Sequence, residues 1–373
     1  MPGDENKSTV DLTPSDPSWS SASPESRIPS ENFIVSTRIP ASCVATATTS
    51  LRLIELVECE EVKKMSIAII SPGHDRSAWI HALQTHQPDL EVEIWPQIGV
   101  PERVELALCW NQPPGSLNHL PNLKLISSFG AGVDHLLNDP HVPAGVPIVR
   151  LVDPNLRQSM AEYVQLAALG HFRRFKDYSS QQEMKTWQPL SIPSISEVNV
   201  GIMGCGDIGR FVGGKLASIG FRVHGWSRTP QQLDHIVTYS GEKELAKFLG
   251  YSNILVCLLP LTAATENILN SKLFDQLPPG AYLINVGRGA HLVEADLLKA
   301  LTSGQLSGAL LDVFRQEPLP TEHPFWQHDN IQITPHIASI TNPASAAKQI
   351  ISNYDRLRQG KEPLNIVSRQ LGY

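Results

Sequence analysis

From residue 66 onward the chain alternates short apolar runs with stretches in helical spacing. The first runs are SIAII at 66, EVEIW at 91, LALCW at 106, LKLIS at 123 and PIVRL at 147. Runs this short predict strands, and the helical stretches between them predict parallel pairing through crossover helices. A longer helical stretch, from about Asn155 to Phe175, follows the start signal Asp153-Pro154 and predicts a hinge helix. A second set of runs is NVGIMG at 199, FRVHGW at 221, NILVCLL at 253, AYLINV at 281, GALLDVF at 308 and IQITP at 331. These six predict a doubly wound parallel sheet, and Pro343 to Leu357 predicts one more helix. The expected class is α/β.

The first 64 residues do not share this rhythm. Residues 1–40 hold nine serines and six prolines, which resist packing and regular pairing and predict disorder. Asp4, Glu5, Asp11, Asp16 and Glu25 outnumber Lys7 and Arg27 there, which fits neither a secretory signal nor a mitochondrial presequence. Residues 51–64 could form a short amphipathic helix, but the first strand pattern comes directly after Met65, so Met65 is the expected start of the folded protein. Residues 1–64 are then an appended regulatory tail or a non-native upstream stretch of the gene model, and mass spectrometry of the native N-terminus decides between them.

Composition narrows the function. A chain of 373 residues with 41% hydrophobic content supports two domains. A formal charge of −7 gives no general attraction to nucleic acid or anionic membranes. The five cysteines, Cys43, Cys59, Cys109, Cys205 and Cys257, are scattered without metal spacing, which predicts a reducing, cytoplasmic setting and no metal. No apolar run approaches the roughly 18 residues of a membrane span, so a soluble protein is expected.

The chemistry begins at Gly204-Cys205-Gly206-Asp207-Ile208-Gly209, which follows the strand NVGIM and precedes a helical pattern from Arg210. That context fits a dinucleotide fingerprint: Gly204 for the tight turn, Gly206 for backbone approach to a pyrophosphate, Gly209 for close helix packing. Asp207 and Ile208 are expected to contribute backbone only. About 20 residues on, where NAD sites carry an acid, stand Ser227-Arg228-Thr229. A forked cation between two hydroxyls suits a 2′-phosphate, so NADP(H) is the preferred cofactor and NAD(H) an alternative. The ordinary alternative for Arg228 is a solvated surface cation.

Three later strands each end in a polar residue at the edge where parallel sheets gather ligands: Arg288 in VGRG, Glu317 in RQEPLP and His336 in ITPHIAS. Singly, Arg288 could pair on the surface, Glu317 could be solvated and His336 could be a satisfied core histidine. In order, SFGAGVDHL, the glycine loop, LLPLTAAT, LINVGRG, LDVFRQEPLP and HPFW with ITPHIAS resemble the D-isomer-specific 2-hydroxyacid dehydrogenase family, on its glyoxylate/hydroxypyruvate reductase A-like branch. The resemblance runs from about Met65 to Tyr373.

That resemblance implies two Rossmann-like or flavodoxin-like parallel-sheet domains with an active-site cleft between them. It implies that Arg288 clamps the substrate carboxylate and polarises its carbonyl, that His336 is the general acid/base, and that Glu317 orients the imidazole and favours its protonated form. It places Gly130, Ala131 and Gly132, within Phe129–Val133, at the substrate carboxylate, and Trp110 at the pocket wall, where an ordinary packed tryptophan is the alternative. Leu259, Pro260 and Asp312 fall where the family lines the nicotinamide end. The implied activity is NAD(P)H-dependent reduction of small 2-oxo acids to 2-hydroxy acids, with a homodimer as the implied assembly. The expected division is a substrate domain at 65–160, completed by 340–373, and an NAD(P)-binding domain at 161–339. The rivals are a dinucleotide-sensing corepressor-like protein on the same fold and a different dehydrogenase branch acting on another substrate.

Overall fold

The structure, a computed structural model, describes residues 66–73 and 75–373; the expectations for the leader lie outside the described residues. The first sheet is built from β1 (Ser66–Ile70), β2 (Glu91–Ile94), β3 (Val104–Cys109), β4 (Leu125–Ser128) and β5 (Ile148–Val149), with α1 (Arg76–His86) and the short α2 (Asp134–Leu137) between them. Its five strands are all parallel, in the order β2-β1-β3-β4-β5. Two helices follow, α3 (Pro154–Phe172) and α4 (Phe175–Glu183).

The second sheet comprises β6 (Asn199–Met203), β7 (Arg222–Ser227), β8 (Ile236–Ser240), β9 (Ile254–Cys257), β10 (Ala281–Asn285), β11 (Leu306–Leu311) and β12 (Ile331–Ile333). Helices α5 (Asp207–Ser218), α6 (Gly241–Tyr251), α7 (Ser271–Phe274) and α8 (Glu294–Ser303) connect them, and α9 (Pro343–Arg358) closes the chain's helical part. All seven strands are parallel, in the order β12-β11-β10-β9-β6-β7-β8. The expected α/β class with two parallel-sheet domains is what the structure has.

The central strands of each sheet are covered on both faces, which is why they read as largely apolar runs. In β1, Ile67 and Ile69 pack with Leu83 of α1 and Ile350 of α9, while Ala68 and Ile70 face Leu117 and Leu136 on the other side. At about 1.5–3 kcal/mol for each fully buried aliphatic side chain, this alternation fixes the register, since a one-residue slip would exchange the two cores. Helix α3 starts at its expected cap: Asp153 accepts from the Asn155 amide at 2.9 Å. Leu156 in its first turn belongs to the first sheet's core, whereas Met160, Val164 and Ala168 pack with Val200 and Ile202 of the second.

Three details differ from the sequence expectation. The second sheet has a seventh strand, β8, on its edge, where Val237 is 56% exposed and the segment is not continuously apolar. The long helix breaks after Phe172, with Arg174 in the left-handed region at φ 60°, and resumes as α4. Helix α5 begins at Asp207 rather than Arg210, with Gly206 as its cap.

In both sheets the strand order reverses direction, at β1/β3 in the first and β6/β9 in the second. The carboxyl ends of strands flanking such a reversal open into a crevice. Trp110 follows β3 at one reversal, and Gly204 follows β6 at the other.

Candidate active site

The glycine loop has the shape an extended diphosphate needs. Gly204 sits at φ 103°, and a Cβ there would lie 2.7 Å from the Leu258 carbonyl oxygen. A Cβ on Gly209 would lie 1.8 Å from the Gly204 oxygen, so the first turn of α5 can press onto the loop only because that side chain is missing. A Cβ on Gly206 would meet nothing within 4 Å, which leaves open space beside the helix N-terminus. These features fit a bound dinucleotide. Asp207 turns its carboxylate to Arg210 at 2.7 Å and Arg157 at 3.7 Å, and Ile208 is a partly buried member of the core beneath the loop.

At the end of β7, Arg228 is exposed, and its guanidinium lies over the Tyr373 ring at 5.3 Å. Thr229 is exposed as well, but the Ser227 hydroxyl donates to the Thr229 carbonyl at 2.8 Å, so one of the two expected hydroxyl donors is directed at backbone. On the other side of the glycine loop, Leu259 is buried, and the Pro260 carbonyl accepts from Thr265 Oγ1 at 2.7 Å.

Arg288 follows β10 and is held at several points. Its Nε donates to Asp134 Oδ1 at 2.9 Å and its Nη1 to the Gly287 carbonyl at 2.8 Å. Its Nη2 occupies the space beside Gly132, where a Cβ would stand 1.6 Å away. Its backbone amide donates to His291 Nδ1 at 3.0 Å, and His291 Nε2 bonds the Pro260 carbonyl at 3.3 Å. Burial pushes His291 down to about 4; its contacts with the Pro260 carbonyl, Asp134 and the Arg288 amide oppose the shift, and the Arg288 charge adds to it. Neutral His291 therefore staples the arginine loop to the Pro260 loop.

His336 follows β12 with φ 55°, an uncommon conformation for a side-chain-bearing residue. Asp312, at 1% exposure, enforces it. Its carboxylate accepts from Thr334 Oγ1 at 2.6 Å and from the amides of Ile337 at 2.8 Å and Ala338 at 2.9 Å, while its carbonyl accepts from the His336 amide at 2.9 Å. His336 Nδ1 meets Glu317 Oε2 at 2.7 Å, leaving Nε2 as the other ring nitrogen. Glu317 also accepts from the Phe314 amide at 2.9 Å. Burial alone would raise the Glu317 carboxyl, yet the hydrogen bonds from His336 and Phe314, with the charges of His336 and Arg288, hold it below its ordinary value. A Cβ on Gly289 would lie 1.8 Å from the Phe314 carbonyl carbon, so the arginine and glutamate loops are packed backbone to backbone.

The first sheet supplies the opposite wall. The Ser128 hydroxyl donates to the Gly132 carbonyl at 2.6 Å and accepts from the Gly130 amide at 3.2 Å, folding Phe129–Val133 into a tight loop. The Ala131, Gly132 and Val133 amides donate no hydrogen bond among the described residues. Trp110 packs beside Gly130, 4.9 Å from the His135 ring and 6.4 Å from the His336 ring. His135 is pushed down to about 4 by burial, with Asp134 and the Cys109 carbonyl opposing and Arg288 adding to the shift.

The structure thus brings Arg288, Glu317, His336, Trp110 and the Gly130–Gly132 loop to one cleft. Two further residues of that cleft are Asp134 and His291, which the sequence pattern does not single out. His291 carries a signal, three positions beyond Arg288 within GRGAH; Asp134, 154 positions from its partner, carries none beyond its place in SFGAGVDHL.

A fingerprint loop on one sheet, with a guanidinium and an imidazole–carboxylate pair facing a second sheet, is the arrangement of a dinucleotide-binding α/β protein. Residues 166–338 match the family model for the NAD binding domain of D-isomer specific 2-hydroxyacid dehydrogenases. The glyoxylate/hydroxypyruvate reductase A of Yersinia enterocolitica is 41% identical over 314 residues, covering 83% of this chain and all of that protein. The chain belongs to the D-isomer-specific 2-hydroxyacid dehydrogenase family. Among solved structures, a D-isomer specific 2-hydroxyacid dehydrogenase from Xanthobacter autotrophicus Py2 in complex with NADPH and MES superposes with a TM-score of 0.81 at 40% identity, covering 83% of this chain and all of that one. An NADPH-dependent glyoxylate/hydroxypyruvate reductase from Sinorhizobium meliloti, in complex with NADP and sulfate, gives 0.78 at 36% identity with the same coverage.

Proposed function

We propose that this protein is an NADP(H)-dependent reductase of small 2-oxo acids, such as glyoxylate or hydroxypyruvate, to the 2-hydroxy acids. The observation that carries this is the convergence of Arg288 and the Glu317–His336 pair on the cleft edge beside the glycine loop. The nicotinamide, when bound, supplies the hydride to the carbonyl carbon. Arg288 binds the carboxylate and polarises the carbonyl through N–H donors left free by its own anchors. His336, held through Nδ1 by Glu317, gives a proton from Nε2 to the carbonyl oxygen as the hydride arrives and takes it back in the reverse direction. The amides of Ala131–Val133 face the anion, and Trp110 walls the pocket beside His336.

Gly204, Gly206 and Gly209, with the backbone of Asp207 and Ile208, hold the diphosphate; Leu259, Pro260 and Asp312 line the nicotinamide end. Arg228, flanked by Ser227 and Thr229, selects the 2′-phosphate, and the NADPH and NADP in the two related structures support that choice, with NAD(H) as the weaker alternative. We assign residues 65–160 with 340–373 to the substrate domain and 161–339 to the cofactor domain; the packing of α9 on α1 supports the first assignment. Exposed Leu166, Phe175, Met184 and Trp187, on α3, α4 and the segment after them, support a homodimer formed through the cofactor domain. The buried free thiols of Cys109, Cys205 and Cys257 suit a reducing cytoplasm, and no helix among the described residues is long and apolar enough to cross a membrane.

The test is NADPH consumption with glyoxylate and hydroxypyruvate, repeated with NADH. Turnover well above background supports the reductase. Tight NADPH binding without turnover on any 2-oxo acid of a panel overturns it in favour of the sensor.

A further inference from the structure

We propose that Asp134 is a positioning residue for Arg288: its carboxylate reaches across the cleft and turns the guanidinium end-on, so the anion clamp exists only while the two sheets' domains are together. This rests on the reductase proposal for the identity of the anion.

Asp134 begins α2, directly behind the Gly130–Val133 loop of the first sheet, and Arg288 follows β10 of the second. Their bond, Nε to Oδ1 at 2.9 Å, joins two side chains that are 22% and 20% exposed. An ion pair at that depth is stronger and less screened than a surface one. An arginine has five N–H donors on a rigid plane. Asp134 takes the one on Nε and the Gly287 carbonyl takes one on Nη1, so the remaining three lie on Nη1 and Nη2. The end-on pair of those nitrogens is the face that meets a carboxylate with two parallel bonds. Gly132 makes room for Nη2, bringing that face against the Ala131–Val133 amides, which have no acceptor among the described residues.

Around Arg288 the charged and titratable groups are Asp134, Glu317, His336, His291 and His135, drawn from both domains. Asp134 is the carboxylate bonded to the guanidinium itself; Glu317 is engaged by His336 and the Phe314 amide. Without Asp134, Nε would keep no protein acceptor in the cleft. The guanidinium could then rotate about its last side-chain torsions, and its end-on face would no longer be presented by the protein before substrate arrives.

The test compares Asp134→Ala, Asp134→Asn and wild type in the full chain with saturating NADPH, using glyoxylate and its methyl ester. Asp134→Ala should raise KM for glyoxylate about 10- to 100-fold, with a smaller fall in kcat, while Kd for NADPH stays within about two-fold. The preference for acid over ester should collapse, which a general loss of folding would not produce. Asp134→Asn, whose amide oxygen can still accept from Nε, should recover part of the loss. In an Arg288→Ala background, Asp134→Ala should add little, because the two act as one unit. Oxalate binding to the NADP+ complex, read by calorimetry, reports the clamp without turnover. If wild type binds oxalate but reduces no 2-oxo acid, the reductase proposal falls and the positioning role is decided by the variants' oxalate affinities. If wild type neither binds oxalate nor reduces a 2-oxo acid, both fall. An unchanged acid-to-ester preference in Asp134→Ala, or losses that add fully with Arg288→Ala, overturns the positioning role alone.

Discussion

Under the proposed function Arg288 and Arg228 both meet anions, and the protein holds them in opposite ways. Arg288 is fixed by Asp134 at Nε, by the Gly287 carbonyl at Nη1, by His291 at its amide and by the bare backbone of Gly132 beside Nη2. Arg228 is exposed, with the Tyr373 ring stacked at 5.3 Å as its support. A group that must be in place when charge moves gains from being held beforehand, because reorganisation then adds nothing to the barrier. A group that only chooses between two cofactors can close on its phosphate afterwards. Rigidity is concentrated at the end where the proposed reaction takes place.

The largest effects should come from the fixed end. His336→Gln should lower kcat by about 10² to 10⁴ with folding retained, the usual cost of a lost general acid, as steady-state NADPH oxidation will read. Next, Gly132→Ala should raise KM for glyoxylate by about tenfold or more, since its methyl group would stand 1.6 Å from Arg288 Nη2 and must displace it. Gly206→Ala, with nothing within 4 Å of the new carbon, is the control whose fold should survive.

Arg228→Ala should raise KM for NADPH about tenfold and leave that for NADH nearly unchanged; equal effects on both would remove Arg228 from phosphate selection. Smallest, Tyr373→Ala should shift KM for NADPH by about two- to five-fold, in keeping with an exposed cation–π contact. An effect as large as that of Arg228→Ala would show that the phosphate end is as firmly built as the catalytic one.

The buried histidines add a pH dependence to the fold. His135, His171 and His291 are each lowered to about 4 from 6.5, chiefly by burial. The folded protein therefore refuses protons that the unfolded chain binds once pH drops below about 6.5. Stability is full above that pH and declines towards pH 4, with unfolding taking up about one proton per histidine. Glu317, lowered in the fold, acts in the same direction in the acid range. Thermal melts from pH 7.5 to 4.5 should fall steadily; a flat or rising curve would mean that these imidazoles are not held neutral.

The two ends also differ in how far the sequence discloses them. Strands covered on both faces, such as β1 and β10, appear as unbroken apolar runs because every side chain is buried. The edge strand β8 buries only Ile236 and Tyr239, and α4 buries no residue, so neither stands out from a loop. Arg288, Glu317 and His336 are legible because each directly follows or closely trails a strand whose carboxyl end faces the cleft. Asp134 and Asp312 act through geometry: one reaches a partner 154 residues away and the other holds the turn from Thr334 to Ala338 in place. Nothing in residue type or spacing announces either task.

The most direct test of the account is a crystal structure of the protein with NADP+ and oxalate bound. One oxalate carboxylate is expected on the Nη1–Nη2 face of Arg288 and the Ala131–Val133 amides, with an oxygen of the other in hydrogen-bond reach of His336 Nε2. Oxalate bound away from Arg288, or His336 separated from it and from the nicotinamide ring, would contradict it.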